Sequence, residues 1–312
     1  MQILYLGPPD TLEHVRSCFG PGVKVLLALD EPTADSLLPV SDVILDAFMG
    51  VPFPAGRLAR GENLKLVVTV STGADHIDAA SLERRRIPLL TLGDQKAVMR
   101  NITPAAEHSW LLLMACARQL RAATAGVLGG EWNRNKYPGI MLQGKTLGVI
   151  GAGRIGEWMS RYAGAFRMKC IGFDPHVRDW PATIERVDLP TLLKESDFIS
   201  VHVPLNDTTR KLVGHNEFSQ MKRGVIIINT SRGEILDESA LERALRDGAV
   251  GAAGVDVLAG EPDVNGHPLL RYARERENLI ITPHIGGFSP DALRFLLEFS
   301  CDRVKKHLGI AS

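Results

Sequence analysis

Thr146-Leu-Gly-Val-Ile-Gly151-Ala-Gly153-Arg-Ile-Gly156 carries an apolar strand directly into a glycine-rich turn and then into a helix-forming stretch. Each glycine in that order has a physical task. Gly151 permits the tight turn, Gly153 lets backbone approach a pyrophosphate, and Gly156 lets the helix press on the strand. The free N–H groups of the helix start then face the anion. Arg154 and Ile155 open that helix and belong to the same cofactor-binding turn. The next strand, Lys169–Phe173, delivers Asp174 18 residues after Gly156, where a carboxylate accepts hydrogen bonds from ribose hydroxyls and repels a 2′-phosphate. NAD is therefore the expected cofactor, while His176 and Arg178 beside Asp174 leave some NADP use open. On the bland reading the glycines only make a turn and Asp174 only caps the loop before Pro175; the strand, turn, helix, strand and acid in register argue against it.

Outward from this motif, short runs rich in Val, Ile and Leu alternate with helix-length segments, the rhythm of βαβ units and a parallel sheet. Upstream, strands are expected at Ile3–Leu6, Val23–Leu27, Asp42–Leu45, Leu66–Val70 and Pro88–Thr91. Downstream they are expected at Phe198–Val203, Val225–Asn229, Gly254–Val257 and Leu279–Thr282. Asn101–Leu128 reads as one long helical link into a second domain, and Gly129–Gly144 as an irregular excursion. The chain from Pro290 on reads as an amphipathic helix.

The 312 residues suffice for two domains with cores. Lys plus Arg and Asp plus Glu both number 36, so no basic excess announces nucleic acid or an anionic membrane. No apolar run approaches the roughly 20 residues needed to cross a bilayer, and the first residues read as a strand rather than a leader, so a cytoplasmic location is expected. Cys18, Cys116, Cys170 and Cys301 lack paired spacing and read as buried thiols. No His, Asp and Glu cluster has metal-ligand spacing.

Reducing a 2-keto acid needs a cation for the carboxylate, a proton donor for the carbonyl oxygen and a partner for that donor. Arg232 lies just past the strand Val225–Asn229, at the strand end where such sheets bind ligands. His284, in Thr282-Pro-His, follows another strand. Glu261, in Ala259-Gly-Glu-Pro, follows a third and is the natural carboxylate to favour the imidazolium. Singly, each is more often a solvated or structural group; at three strand ends behind a dinucleotide turn they point to hydride-transfer chemistry. His76, His108 and His202 read as packing or hydrogen-bonding groups.

The chain resembles the D-isomer-specific 2-hydroxyacid dehydrogenases over nearly its whole length. The resemblance rests on Ser71-Thr-Gly-Ala-Asp-His-Ile-Asp78, Ala106-Glu-His108, the Gly148–Gly156 stretch and Val201-His-Val-Pro-Leu-Asn-Asp-Thr-Thr-Arg210. It continues in Ile228-Asn-Thr-Ser-Arg-Gly233, Gly254-Val-Asp-Val257, Glu261-Pro262 and Thr282-Pro-His-Ile-Gly-Gly287. It implies an α/β protein of two doubly wound parallel-sheet domains, a Rossmann cofactor domain inserted in a flavodoxin-like substrate domain. Residues 1–100 plus 290–312 would form the substrate domain and 101–289 the NAD-binding domain.

The same resemblance implies Arg232 as the substrate-binding arginine, His284 as acid/base and Glu261 as its partner. It implies that Asp256 bonds the nicotinamide carboxamide, that Thr72 and Gly73 cradle the substrate carboxylate, and that Val203 and Pro204 wall the adenine pocket. Thr230 and Gly286 would touch the cofactor. It also implies a homodimer packed through residues 129–144, and Trp132, Tyr137, Ile140 and Met141 are too apolar to leave that stretch wet. Substrate choice would lie in the loop Asp46–Phe53. There Phe48, Met49 and Phe53 suit an uncharged or apolar substituent, as in glyoxylate, hydroxypyruvate or a larger 2-keto acid, or simply pack the loop down. Only Arg57 and Arg60, beyond the loop, could grip a phosphate. The alternative is a non-catalytic NAD(H)-sensing, corepressor-like binding protein. A relative acting on formate is disfavoured because that enzyme has Gln where Glu261 stands.

Overall fold

The computed structural model describes residues 1–310, and positions 311 and 312, the tail of the expected C-terminal segment, lie outside the described residues. Two compact units result, one of Met1–Ile102 with the chain from Ser289, the other of Thr103–Phe288.

The first unit is built on strands β1 (Gln2–Leu6), β2 (Lys24–Leu27), β3 (Val43–Asp46), β4 (Leu66–Thr69) and β5 (Leu89–Leu90). They form a parallel sheet in the order β2-β1-β3-β4-β5, the doubly wound order of flavodoxin. Apolar residues occupy both sides of each central strand because helices cover both faces. Leu4, Leu6, Ile44 and Val67 pack into one layer, while Ile3, Tyr5, Val43, Leu45, Leu66 and Val68 pack into the other. The helix Pro290–Leu308 starts on a proline and ends at Gly309, whose φ is 65°. It adds Leu293, Leu297, Cys301 and Val304 to the second layer. Each of those aliphatic side chains gains roughly 1.5–3 kcal/mol by burial, which fixes the helix face.

The second unit holds β6 (Thr146–Ile150), β7 (Lys169–Phe173), β8 (Glu185–Arg186), β9 (Phe198–Val201), β10 (Val225–Asn229), β11 (Val250–Val255) and β12 (Leu279–Ile281). Its parallel order is β12-β11-β10-β9-β6-β7-β8. The chain winds outward in both directions from the β6/β9 boundary, the Rossmann plan with a switch point at the glycine turn. Ile227 and Ile199 enter the core on one face, Ile226, Ile228 and Phe198 the core on the other.

Several elements depart from expectation for local reasons. β11 begins at Val250, earlier than the apolar signal at Gly254, because its middle is Gly-Ala-Ala-Gly. The helix Pro104–Ala117 lies directly on Gly254, where a Cβ would stand 2.9 Å from Leu112 Cβ, and the Gly224 carbonyl crowds Gly251, where a Cβ would stand 2.6 Å from its oxygen. β9 stops at Val201, short of Pro204, which has no N–H for a ladder. β8, not expected at all, is two exposed charged residues on the sheet edge.

The single helical link is in fact two helices, Pro104–Ala117 and Leu120–Leu128, broken where Gln119 turns left-handed at φ 48°. The irregular segment satisfies the break. Ile140 N–H donates to the Ala117 carbonyl at 2.8 Å, and the Gln119 side-chain amide donates to the Pro138 carbonyl at 2.6 Å. Cys116, Cys170 and Cys301 are buried and Cys18 half-buried, all free thiols. Burial pushes the Cys116 and Cys170 thiols up to about 12, which leaves no reactive thiolate there.

Candidate active site

Because all strands of the second sheet are parallel, every loop that follows a strand emerges on one edge. Along that edge, in spatial order, come the loops after β12 (His284), β11 (Asp256 and Glu261) and β10 (Arg232). The loops after β9 (Val203, Pro204), β6 (the glycine turn) and β7 (Asp174) complete the row.

At the glycine turn, Gly151 has φ 97°, and a Cβ there would lie 2.4 Å from the His202 carbonyl oxygen. A Cβ on Gly156 would meet the Gly151 carbonyl at 2.2 Å, so the helix Arg154–Ala165 sits on the turn as only glycine permits. The Cβ position of Gly153, by contrast, faces open space, and no side chain caps this helix. An uncapped, glycine-lined helix start is what a pyrophosphate needs. Val203 packs against Gly151, and Pro204 beside it is exposed. These features fit a dinucleotide.

Asp174 stands at the end of β7. Its Oδ2 accepts from Ala152 N–H at 3.1 Å, and its Oδ1 accepts from His176 and Val177 N–H at 2.8 and 3.1 Å. The loop-capping role is thus real. A carboxylate has about four acceptor positions, so capacity for a ribose hydroxyl remains.

His284 and Glu261 are 23 residues apart, yet His284 Nδ1 lies 2.7 Å from Glu261 Oε1. Their side chains keep 30% and 28% exposure, so the imidazole is held on one nitrogen and open to a ligand on the other. His284 adopts φ 55°, uncommon for a residue with a side chain. Asp256 holds it there. The His284 N–H donates to the Asp256 carbonyl at 2.8 Å, while the fully buried Asp256 carboxylate accepts from Ile285 N–H at 3.0 Å and Gly286 N–H at 2.7 Å. Thr282 Oγ1 donates to the same carboxylate and bonds His108 Nε2 at 2.8 Å. Asp256 thus spends most of its acceptor capacity on the turn that carries the histidine.

Arg232 leaves β10 through a turn shaped by Asn229, whose side chain accepts from Ser231 N–H at 3.0 Å and donates to the Arg232 carbonyl at 2.8 Å. The next residue, Gly233, touches the loop after β11 so closely that a Cβ would sit 2.1 Å from Ala259 N. The arginine loop and the Glu261 loop are therefore packed backbone to backbone. Thr230 points inward. Ser109 Oγ gives its proton to the Ala105 carbonyl at 2.6 Å, so the Thr230 hydroxyl donates to Ser109 at 2.7 Å.

The set-aside histidines have structural partners. His202 bonds Ser200 Oγ at 2.7 Å, and burial, with Arg154 nearby, pushes its imidazole down to about 3, so it is neutral at pH 7. His76 pairs with Asp46 at 2.7 Å. In the first unit, Thr72 and Phe48 are exposed, and Gly73 and Met49 half-buried. Of the two readings left open for Phe53, packing holds: it is fully buried in the core with Leu4, Ile44 and Leu58. Sequence reading missed Asn229, Thr282 and Gly233. The first two carried a signal, as Asn and Thr at strand ends favour turns closed by side chains; the Gly233 contact had none.

A sheet edge of this kind is that of a dinucleotide-binding protein with an acid/base pair beside the nucleotide turn's row of loops. The model of the D-isomer specific 2-hydroxyacid dehydrogenase NAD binding domain matches residues 110–286. A hydroxypyruvate reductase of Thermotoga maritima is 36% identical over 282 residues, 90% of this chain and 90% of that protein. A D-3-phosphoglycerate dehydrogenase of Methanocaldococcus jannaschii is 37% identical over 80% of this chain but only 47% of that longer protein. Among solved structures, the D-lactate dehydrogenase of Aquifex aeolicus with NAD and lactic acid superposes with a TM-score of 0.84 at 26% identity, covering 98% of this chain and 95% of that one. The chain belongs to the D-isomer specific 2-hydroxyacid dehydrogenase family, an NAD-linked class of 2-hydroxyacid oxidoreductases. The matched relatives are enzymes, which favours catalysis over a purely nucleotide-sensing role.

Proposed function

We propose that this chain reduces a small, unphosphorylated 2-keto acid to the D-2-hydroxy acid, and that Arg232, Glu261 and His284 do the protein's share of the chemistry. The observation that carries it is the 2.7 Å contact between His284 Nδ1 and Glu261 Oε1 on neighbouring strand-end loops. NAD(H) supplies the hydride to C2, or takes it up in the reverse direction. Arg232 pairs with the substrate carboxylate. Since Nδ1 is held by Glu261, Nε2 is the atom that gives a proton to the C2 oxygen during reduction and recovers it during oxidation. Asp256 and Gly286 keep the imidazole turned outward. Thr72 and Gly73 bind the carboxylate end of the substrate, and Phe48 and Met49 face its C3 substituent.

The arginines near the substrate loop support an uncharged substituent. Arg57 Nε pairs with Asp35 at 2.9 Å, and its other nitrogens bond Glu31 and the Pro52 carbonyl; Arg60 pairs with Asp35 at 3.1 Å. Their charge is already compensated, which disfavours a phosphorylated acid. With NADH, glyoxylate, hydroxypyruvate or a longer 2-keto acid should turn over at least about tenfold faster, as kcat/KM, than phosphohydroxypyruvate. Turnover of phosphohydroxypyruvate alone would overturn the substrate assignment.

The glycine turn from Gly151 to Gly156, including Arg154 and Ile155, would hold the pyrophosphate. Asp174 would hold the ribose, and Val203, Pro204 and Thr230 the flanking parts of the cofactor. Hydrogen bonds to a charged group are worth about 1.5–3 kcal/mol. Asp174→Ala should therefore lower kcat/KM for NADH by roughly 10–100-fold and narrow the preference over NADPH. An unchanged ratio between the two cofactors would remove Asp174 from cofactor choice.

A homodimer acting in the cytoplasm is part of the same reading. Trp132 and Met141 are 90% and 73% exposed on the 129–144 stretch, and Leu128 just before it is 84% exposed, an apolar area that a second copy would cover. Light scattering that returns the mass of one chain would overturn the dimer. Among the described residues no single helix is long and apolar enough to cross a membrane.

A further inference from the structure

We infer that Asp46, through His76, is a positioning residue that locks the two substrate loops of the first unit into one body. The inference rests on the reading above of Phe48, Met49, Thr72 and Gly73 as substrate-binding. Asp46 ends β3 and is fully buried, and the chemistry proposed above gives it no part. Its two oxygens serve different loops. Oδ1 accepts from Phe48 N–H at 3.2 Å and Met49 N–H at 3.0 Å, in the loop after β3. Oδ2 lies 2.7 Å from His76 Nε2, in the loop after β4.

A second feature points the same way. Met49 is held at φ 55°, a conformation that side-chain-bearing residues enter rarely and keep only when their surroundings impose it. The Asp46 Oδ1 bond to the Met49 N–H is such a restraint. On the other loop, Ser71 Oγ donates to the Gly73 carbonyl and bonds Thr69 Oγ1 at 2.9 Å, with Thr69 Oγ1 in turn 3.4 Å from Asp46 Oδ2. The far ends of the two loops are joined by backbone, Phe53 N–H to the His76 carbonyl at 2.7 Å and Asp78 N–H to the Phe53 carbonyl at 3.0 Å. Nearer the residues that would meet substrate, the joint is the Asp46 carboxylate. A buried carboxylate left without donors is costly, so neither loop can move without disturbing the other.

The test uses the full chain. His76→Ala and Asp46→Ala should raise KM for the preferred keto acid by about tenfold or more, because a displacement of about 1 Å in a positioning group is already expensive. The NADH dissociation constant should stay within about twofold. Two conservative variants should keep KM near the wild-type value. In His76→Gln the amide nitrogen reproduces Nε2–H. In Asp46→Asn the carbonyl still accepts from Phe48 and Met49, and the amide donates to His76 in its other tautomer.

Asp46→Ala, at a fully buried site, could fail to fold, so His76→Ala carries the decision together with amide hydrogen exchange on the unliganded protein. Loss of the His76 side chain should speed exchange at the Phe48 and Met49 amides, on the opposite loop. Unchanged exchange there overturns the coupling, as does a KM that stays within twofold in His76→Ala or an NADH affinity that weakens in parallel with it. A wild-type protein silent toward every keto acid removes the substrate reading alone, and the exchange measurement still settles the coupling.

Discussion

Replacing His284 with alanine should lower kcat/KM for the keto acid by about 10²–10⁴-fold, the usual worth of a positioned general acid. NADH binding, followed by fluorescence titration, should be nearly unaffected, because the imidazole is held from the sheet edge by Glu261 and by the Asp256 turn rather than by the glycine turn. Glu261→Gln should fall between wild type and His284→Ala. A glutamine oxygen can still accept from Nδ1–H and orient the ring, but the negative charge beside it is gone. Full activity in His284→Ala would remove that residue from the chemistry and with it the proton path through Nε2.

Arg232→Ala should cost at least about 10²-fold in kcat/KM, since two charge-assisted hydrogen bonds to a carboxylate are lost together. Most of the loss should fall on KM, because the substrate carboxylate is charged both in the ground state and during hydride transfer. Arg232→Lys should recover only part of it: lysine restores the charge but not the planar pair of donors. The contrast with His284→Ala is informative. One variant should bind keto acid poorly, while the other should bind it and fail to reduce it. Identical kinetic signatures would contradict the separate roles given to the two residues.

The nucleotide turn was legible because its constraints are local. Gly151 needs a positive φ, Gly156 needs to touch the turn, and strand, turn and helix are contiguous in the chain. The strand ends carrying Arg232, Glu261 and His284 could be read for a similar reason, since apolar β-branched runs mark buried parallel strands. Strand limits were less legible where packing overrode propensity. The Gly-Ala-Ala-Gly of β11 gives no strand signal, and its glycines answer to contacts distant in the chain, Gly254 to Leu112 and Gly251 to Gly224. Phe53 shows the converse ambiguity, an aromatic in a candidate substrate loop that could face a ligand or pack inward, and the sheet core claims it.

Periodicity and glycine placement alone specified two parallel-sheet halves, a dinucleotide turn and three strand-end residues with the right chemistry, because each is a property of consecutive residues. Which of those residues meet was another matter. Beyond the expected Glu261 contact with His284, the Asp256 anchor beneath it, the Gly233 approach to Ala259 and the Asp46 link to His76 join positions 26 to 30 residues apart. Such pairs are set by strand order and register, which bring chain-distant loops to one sheet edge, and no local pattern of residues encodes that adjacency.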